Sequence, residues 1–237
     1  MKITICVPMY NESSIIESTA RALWKYMTEH FGDDFEIIFA DDGSRDDSAR
    51  LVDSLNLSGV RVVGYGDNRG KGSAVRTAVL ASSGDVVIFT DADLAYGLDV
   101  IEEAVRALNG KGYSAVVASR AKHPRGYEGY TFIRKLASKT YICFLNALIG
   151  IKISDAQCGF KAFEGDLARK IFSLCKTDNF AFDLEVILLA QKLRVSIYEM
   201  PAMIINHRES KVSVLRDAPR MLREAFRIKK RVKELKF

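Results

Sequence analysis

The chain has 237 residues, 48% hydrophobic and 27% charged, which suits one large globular domain with its own core and excludes a disordered or solenoid-repeat protein. Its four cysteines form no CxxC pair, which leaves no support for a zinc ribbon or thioredoxin motif and makes reduced thiols in a cytoplasmic setting the expectation. The net charge is +5, but residues 216–237 hold nine Lys/Arg against three Asp/Glu, so the positive balance belongs to the tail.

The first 120 residues alternate strand and helix. Residues 3–7 are an apolar run stopped by Pro8, and 13–27 carry Ile15, Ile16, Leu23 and Met27 at roughly helical spacing. Strands follow at 35–40, 60–64, 86–90 and 115–118, with helices at 46–55, 72–81 and 98–108 between them. Nearly continuous apolar strands between amphipathic helices predict an α/β fold with a mostly parallel sheet covered on both faces. Such sheets bind ligands at the carboxyl ends of their strands, where Tyr10-Asn11-Glu12, Asp41-Asp42-Gly43-Ser44 and Asp91-Ala92-Asp93 fall. Beyond Arg120 come a loop over 122–130, one or two apolar helices over 131–149, a buried helix over 179–193 and a strand over 196–205. A basic amphipathic helix follows over 217–234, its apolar side formed by Ala218, Met221, Leu222, Ala225, Ile228 and Val232. The apolar run 141–151 is too short to span a bilayer and contains Asn146 and Gly150, and the N-terminus lacks the features of a signal peptide.

In an extended chain, residues two apart point the same way, so Asp91 and Asp93 can face one cation. Their hard oxygens suit Mg²⁺ or Mn²⁺, although two aspartates in a strand-to-helix turn also fit simple helix capping. Gly70-Lys71-Gly72 departs from a Walker loop: Tyr65 stands where the first glycine belongs, and Gly72 follows the lysine. That excludes a P-loop ATPase and leaves either a glycine turn close to a ligand or a plain helix start. Arg120 and Arg134, taken singly, read as phosphate forks or as surface ion pairs. The tail reads as a solvated helix face or as a contact for anionic lipid, and it lacks the interleaved aromatics of a nucleic-acid binder.

Taken in order, Pro8-x-Tyr10-Asn11-Glu12, Asp41-Asp42-Gly43-Ser44-x-Asp46, Asn68-x-Gly70-Lys71-Gly72 and Asp91-Ala92-Asp93 resemble the family 2 inverting glycosyltransferases of GT-A fold. The second half is similar to the dolichyl-phosphate glucose and mannose synthases through Ser119-Arg120, Arg134-x-x-x-Ser138, Asp155-x-Gln157-Cys158-Gly159-Phe160-Lys161, Phe180-Ala181-Phe182-Asp183-x-Glu185 and Ser210-Lys211-Val212. The resemblance covers the chain to about residue 215 and implies one transferase domain over 1–215, with 216–237 as a basic helix in the same domain or on a membrane. It implies that Asp42 reads the nucleotide base in a pocket lined by Pro8, Tyr10 and Glu12, with Lys71 nearby. It also assigns the diphosphate-metal site to Asp91 and Asp93, the acceptor phosphate to Arg120, Arg134 and Ser138, and a donor-closing loop to Arg208 and Lys211. Two positions depart from the pattern: Ala95 stands where mannosyl relatives often carry Gln, and Glu209 replaces the glycine before Ser210-Lys211.

The expected function is transfer of a hexose, UDP-glucose being the favoured donor, to a polyprenyl or dolichyl phosphate with inversion. A polyprenyl monophosphate is already anionic at neutral pH, its second pKa being near ~6, so the nucleophile needs no strong base. GDP-mannose as donor, a soluble acceptor and a non-enzymatic nucleotide-sugar sensor are the alternatives. Residues 131–151 and the basic tail are the expected peripheral membrane contact of a cytoplasmic protein.

Overall fold

A computed structural model describes residues 1–110, 112–206 and 214–236, with backbone alone at 132–134, 137 and 214–220. The strands are β1 (Ile3–Met9), β2 (Phe35–Asp41), β3 (Val60–Gly64), β4 (Val86–Phe89), β5 (Ala115–Ser119), β6 (Lys161–Glu164) and β7 (Ile197–Pro201). The helices are α1 (Ile16–Phe31), α2 (Ser48–Ser54), α3 (Lys71–Leu80), α4 (Asp99–Gly110), α5 (Phe132–Phe144), α6 (Gly165–Leu174), α7 (Phe182–Lys192) and α8 (Val214–Glu234).

The strands form one sheet in the order β3-β2-β1-β4-β6-β5-β7. β3, β2, β1 and β4 are mutually parallel, β5 and β7 are parallel to each other, and β6 runs antiparallel between β4 and β5. The chain moves outward from β1 to β2 on one side and later to β4 on the other, so a crevice opens at the carboxyl ends of β1, β2 and β4.

All seven residues of β1 are buried because helices cover both faces. Alternation splits them: Ile3, Ile5 and Val7 join Ile37, Phe39 and Ile88 against α1 and α4, while Cys6 joins Ile38, Val87 and Phe89 beneath α3, α6 and α7. Ile16, Ala20, Leu23 and Met27 form the inner stripe of α1 at three- and four-residue spacing. The small residues of α3 (Gly72, Ser73, Ala74, Ala78) are all buried, which brings its backbone close to the sheet.

The mostly parallel α/β architecture is as the periodicity predicts, and two local readings change. β6 and α6 fall in a stretch with no legible strand or helix signal, because β6 is only four residues long and opens with a lysine. The strand expected over 196–205 stops at Pro201, since the chain then leaves β5 to run beside the loop after β4. The apolar stretch 131–149 is helical as expected: α5 is followed by a π-helical turn, Leu145–Ile149, closed by Gly150 in the left-handed region.

α8 packs onto the body of the domain. Ala225, Ile228 and Val232 from its apolar stripe are buried in the core beneath α3, α6 and α7. Arg231 donates to the buried Glu185 at 2.9 Å and to Thr177 at 2.6 Å, and Lys229 donates to the carbonyl of Leu148 at 2.6 Å. Among the described residues, no helix is long and apolar enough to cross a membrane.

Candidate active site

The loops after β1, β2 and β3 are tied together by side-chain bonds to backbone. Asn11 adopts φ 53, accepts from the Arg45 amide at 2.8 Å, and donates its own amide to Ser44 Oγ at 3.0 Å. The amide of Glu12 donates to Ser48 Oγ at 2.8 Å, and that of Ser13 to Asp46 at 3.0 Å. Pro8 lies within β1 opposite Ala40, and Tyr10 and Glu12 sit half-buried just past the strand end. This arrangement gathers Pro8, Tyr10 and Glu12 at the carboxyl end of β1.

Asp42 is buried and acts as a hub. Its Oδ1 accepts from the Tyr65 hydroxyl at 2.7 Å and from the amides of Arg69 and Gly70 at 2.9 and 3.0 Å. Its Oδ2 accepts from Asn68 at 3.0 Å and again from Gly70 at 2.9 Å. A carboxylate offers about four acceptor sites, and here donors of the 65–70 loop occupy them. The glycines of the Gly70-Lys71-Gly72 turn are explained by protein packing: a Cβ at Gly70 would stand 2.5 Å from the Asp178 carbonyl oxygen, and one at Gly72 2.4 Å from that of Thr177.

That close approach aims Lys71 across the crevice into an ion pair with Asp91. Burial alone would lower the lysine's pKa, but the charges of Asp91, Asp183 and Asp93 outweigh it and hold the pKa above the ordinary value. Gly159 packs on the other side of Asp91, where a Cβ would stand 2.1 Å from Oδ2. Beneath lies a second, fully buried pair, Lys161 with Asp183, in which Lys161 also donates to the Cys158 carbonyl at 2.8 Å. Burial raises the Asp183 pKa, an effect that Lys161 and Lys71 only partly offset.

Asp93 lies two residues beyond Asp91, and its Oδ1 accepts from the Ala95 amide at 3.1 Å. The next residue, Leu94, is held at φ 48, a conformation that costs a non-glycine residue about 1–3 kcal/mol and persists only when its surroundings fix it. Two half-buried carboxylates on one turn fit a hard cation that takes its remaining ligands from phosphate and water.

Arg120 and Asp155 form a bidentate pair, Nε to Oδ2 at 2.6 Å and Nη2 to Oδ1 at 2.8 Å, with side chains 14% and 6% exposed. The Arg120 amide also donates to Asp155 at 3.2 Å, and Nη1 donates to the Tyr130 hydroxyl at 2.8 Å. Burial would lower the guanidinium's pKa, but the bonds and charge of Asp155 push it well above the ordinary value. Arg120 is therefore a fixed, buried cation rather than a surface ion pair. Ser138 is half-buried on α5. Arg134 shares that helix but its side chain lies outside the described residues, as do Arg208 and Lys211.

The six residues from Asp155 to Phe160 join the two halves of the site, with Asp155 gripping Arg120 and Gly159 touching Asp91. The sequence motif containing them was legible, but the partners were not. Lys161 and Asp183 each fall in a motif legible in the sequence, but nothing there marked them as a buried pair.

A parallel sheet with an antiparallel insertion and an Asp-x-Asp turn at the carboxyl edge of β4 defines the class: a GT-A glycosyltransferase. The family model for Glycosyl transferase family 2 matches residues 4–172, and the chain belongs to that family. It is 31% identical over 240 residues to the dolichyl-phosphate beta-glucosyltransferase of Dictyostelium discoideum, covering 96% of this chain and 73% of that protein. It is 28% identical to Glycosyltransferase AglD of Haloferax volcanii, covering 92% of this chain but only 35% of that longer protein. The fold matches glucosyl-3-phosphoglycerate synthase of Mycobacterium tuberculosis, solved with Mn²⁺, UDP and glucosyl-3-phosphoglycerate, at TM-score 0.70 and 21% identity, over 99% of this chain and 81% of that one.

Proposed function

We propose that this glycosyltransferase moves glucose from UDP-glucose to a polyprenyl monophosphate of the dolichyl type, with inversion and with Mg²⁺ or Mn²⁺ at Asp91 and Asp93. The observation that carries the reading is the bridge made by residues 155–160, which sets a carboxylate turn suited to a metal-bound diphosphate beside a fixed arginine suited to a second phosphate. The names of the relatives that match across most of the chain support the same donor sugar and acceptor class.

In this mechanism an acceptor phosphate oxygen attacks the anomeric carbon while the bond to the diphosphate breaks, its electron pair leaving on UDP. The nucleophile is already ionised, so no side chain has to take a proton. The metal, when bound, neutralises charge on the leaving diphosphate. Lys71 adds a fixed cation at the same place, and Arg208 and Lys211 close over the donor. Arg120, Arg134 and Ser138 hold the acceptor phosphate. Pro8, Tyr10 and Glu12 line the nucleotide pocket, to which Asp42 contributes by anchoring the 65–70 loop.

Membrane contact rests on Leu136, Leu148 and Phe226, which are 55%, 46% and 47% exposed on α5, the π-helical turn and α8. Lys139 and Lys229 lie on the same elements and favour an anionic surface. The stripe of α8 that faces the core is not available for this contact.

The deciding experiment is a donor panel with a short polyprenyl phosphate in Mg²⁺ or Mn²⁺, together with calorimetry of UDP and GDP. Glucose transfer from UDP-glucose is the expected result, with Ala95 in place of the mannosyl-type Gln. GDP binding tenfold tighter than UDP would overturn the donor, and transfer only to soluble acceptors would overturn the lipid.

A further inference from the structure

The turn that carries Asp91 and Asp93 is held from outside by two residues of the segment after β7. Leu94 at φ 48 reverses the chain, and the carbonyls of Asp93, Leu94 and Ala95 all accept from the segment after β7. All three are taken by Ile205 and Asn206. The Asn206 side-chain amide donates to the Asp93 and Leu94 carbonyls, each at 3.2 Å. The Ile205 amide donates to the Ala95 carbonyl at 2.8 Å, where the Asn206 amide also reaches at 3.3 Å. The Ile205 side chain caps Gly97, at which a Cβ would stand 2.8 Å from Cδ1.

A left-handed non-glycine residue persists only where its surroundings over-determine it. The bonds within the turn, Leu94 amide to Asp91 carbonyl at 3.0 Å and Gly97 amide to Leu94 carbonyl at 2.9 Å, fix its ends. The carboxamide of Asn206 adds one bond on each side of the strained residue and so bears on the peptide that orients the Asp93 carboxylate.

We propose that Asn206 is a positioning residue for the cation site, holding the Asp91–Asp93 turn in the conformation in which both carboxylates face one metal ion. The assignment rests on the metal reading of those two aspartates. Outer partners that orient metal ligands typically change affinity by about 10- to 100-fold when lost.

The test is Mn²⁺ binding in saturating UDP, read from the paramagnetic resonance signal of free Mn²⁺ without turnover. Three variants are compared with the wild type. N206A removes both donors, and N206D keeps the size but cannot donate. N206S keeps one donor. N206A and N206D are expected to weaken Mn²⁺ binding about tenfold or more, with unchanged far-UV circular dichroism and unchanged affinity for UDP alone. N206S is expected to lie between them and the wild type. The aspartate variant is the sharper one, because its added negative charge would by itself strengthen cation binding. Wild-type or tighter Mn²⁺ affinity in folded N206D overturns the proposal. D93A measured alongside separates the two readings. If D93A binds Mn²⁺ normally, the metal reading fails; if D93A loses Mn²⁺ while N206A and N206D keep it, only the role of Asn206 fails.

Discussion

Replacing Asp155 by asparagine tests whether the acceptor side of the site is held by one buried ion pair. The wild-type carboxylate accepts from Arg120 through Nε, Nη2 and the backbone amide, and from the Gln157 amide at 3.3 Å. Asparagine keeps one acceptor but turns an N–H toward the guanidinium and removes the compensating charge. Both side chains are well under a third exposed, so solvent screening rescues little. Removing one partner of a buried pair costs about 3–5 kcal/mol, because the other charge is left uncompensated. For a domain of this size each kcal/mol lowers Tm by about 2–4 °C, so a fall of about 6–20 °C is expected by calorimetry. The same change frees the Arg120 side chain, so KM for polyprenyl phosphate should rise while UDP affinity holds. The double variant R120M/D155L removes both charges and should recover much of the lost stability without recovering transfer. A D155N protein with wild-type Tm and wild-type acceptor KM would refute the reasoning, since the pair would then neither stabilise the fold nor orient Arg120.

Three further outcomes are expected. Arg134→Ala should reduce transfer about 10- to 150-fold, the worth of a charge-assisted bond to phosphate at about 1.5–3 kcal/mol, with UDP affinity by calorimetry unchanged; loss of both would move Arg134 to the donor side. Burial would raise the Glu185 pKa, but bonds from Thr177 and Lys176 and the charge of Arg231 hold it below the ordinary carboxylate value. Its stabilising contribution is therefore complete above the unfolded pKa and is lost as pH falls through the lower folded value, so acid melts of E185Q should show a weaker pH dependence there than the wild type. Leu136→Glu with Leu148→Glu should abolish flotation with anionic vesicles at low salt while leaving Tm within a few degrees, and retained flotation would exclude that face.

Periodicity alone located the parallel half of the sheet, since β1, β2 and β4 are short apolar runs and α1 repeats its apolar residues every three or four positions. The polar clusters at the strand ends were equally legible, because the carboxyl edge of a parallel sheet is where backbone ends and ligands meet. What the sequence could not decide was which polar residues meet across the chain. Arg120 and Asp155 are 35 residues apart, Asp93 and Asn206 113 apart, and no local spacing encodes either contact. The same holds for Asp42, whose bonds to the 65–70 loop arise only once β2 and β3 lie side by side. The stripe of α8 read as amphipathic in sequence, and amphipathicity states only that a face must be covered. Tertiary packing chose the cover: Ala225, Ile228 and Val232 are taken by the core, because burying them against α7 removes apolar surface from water while Arg231 and Glu185 satisfy each other's charge at the same contact.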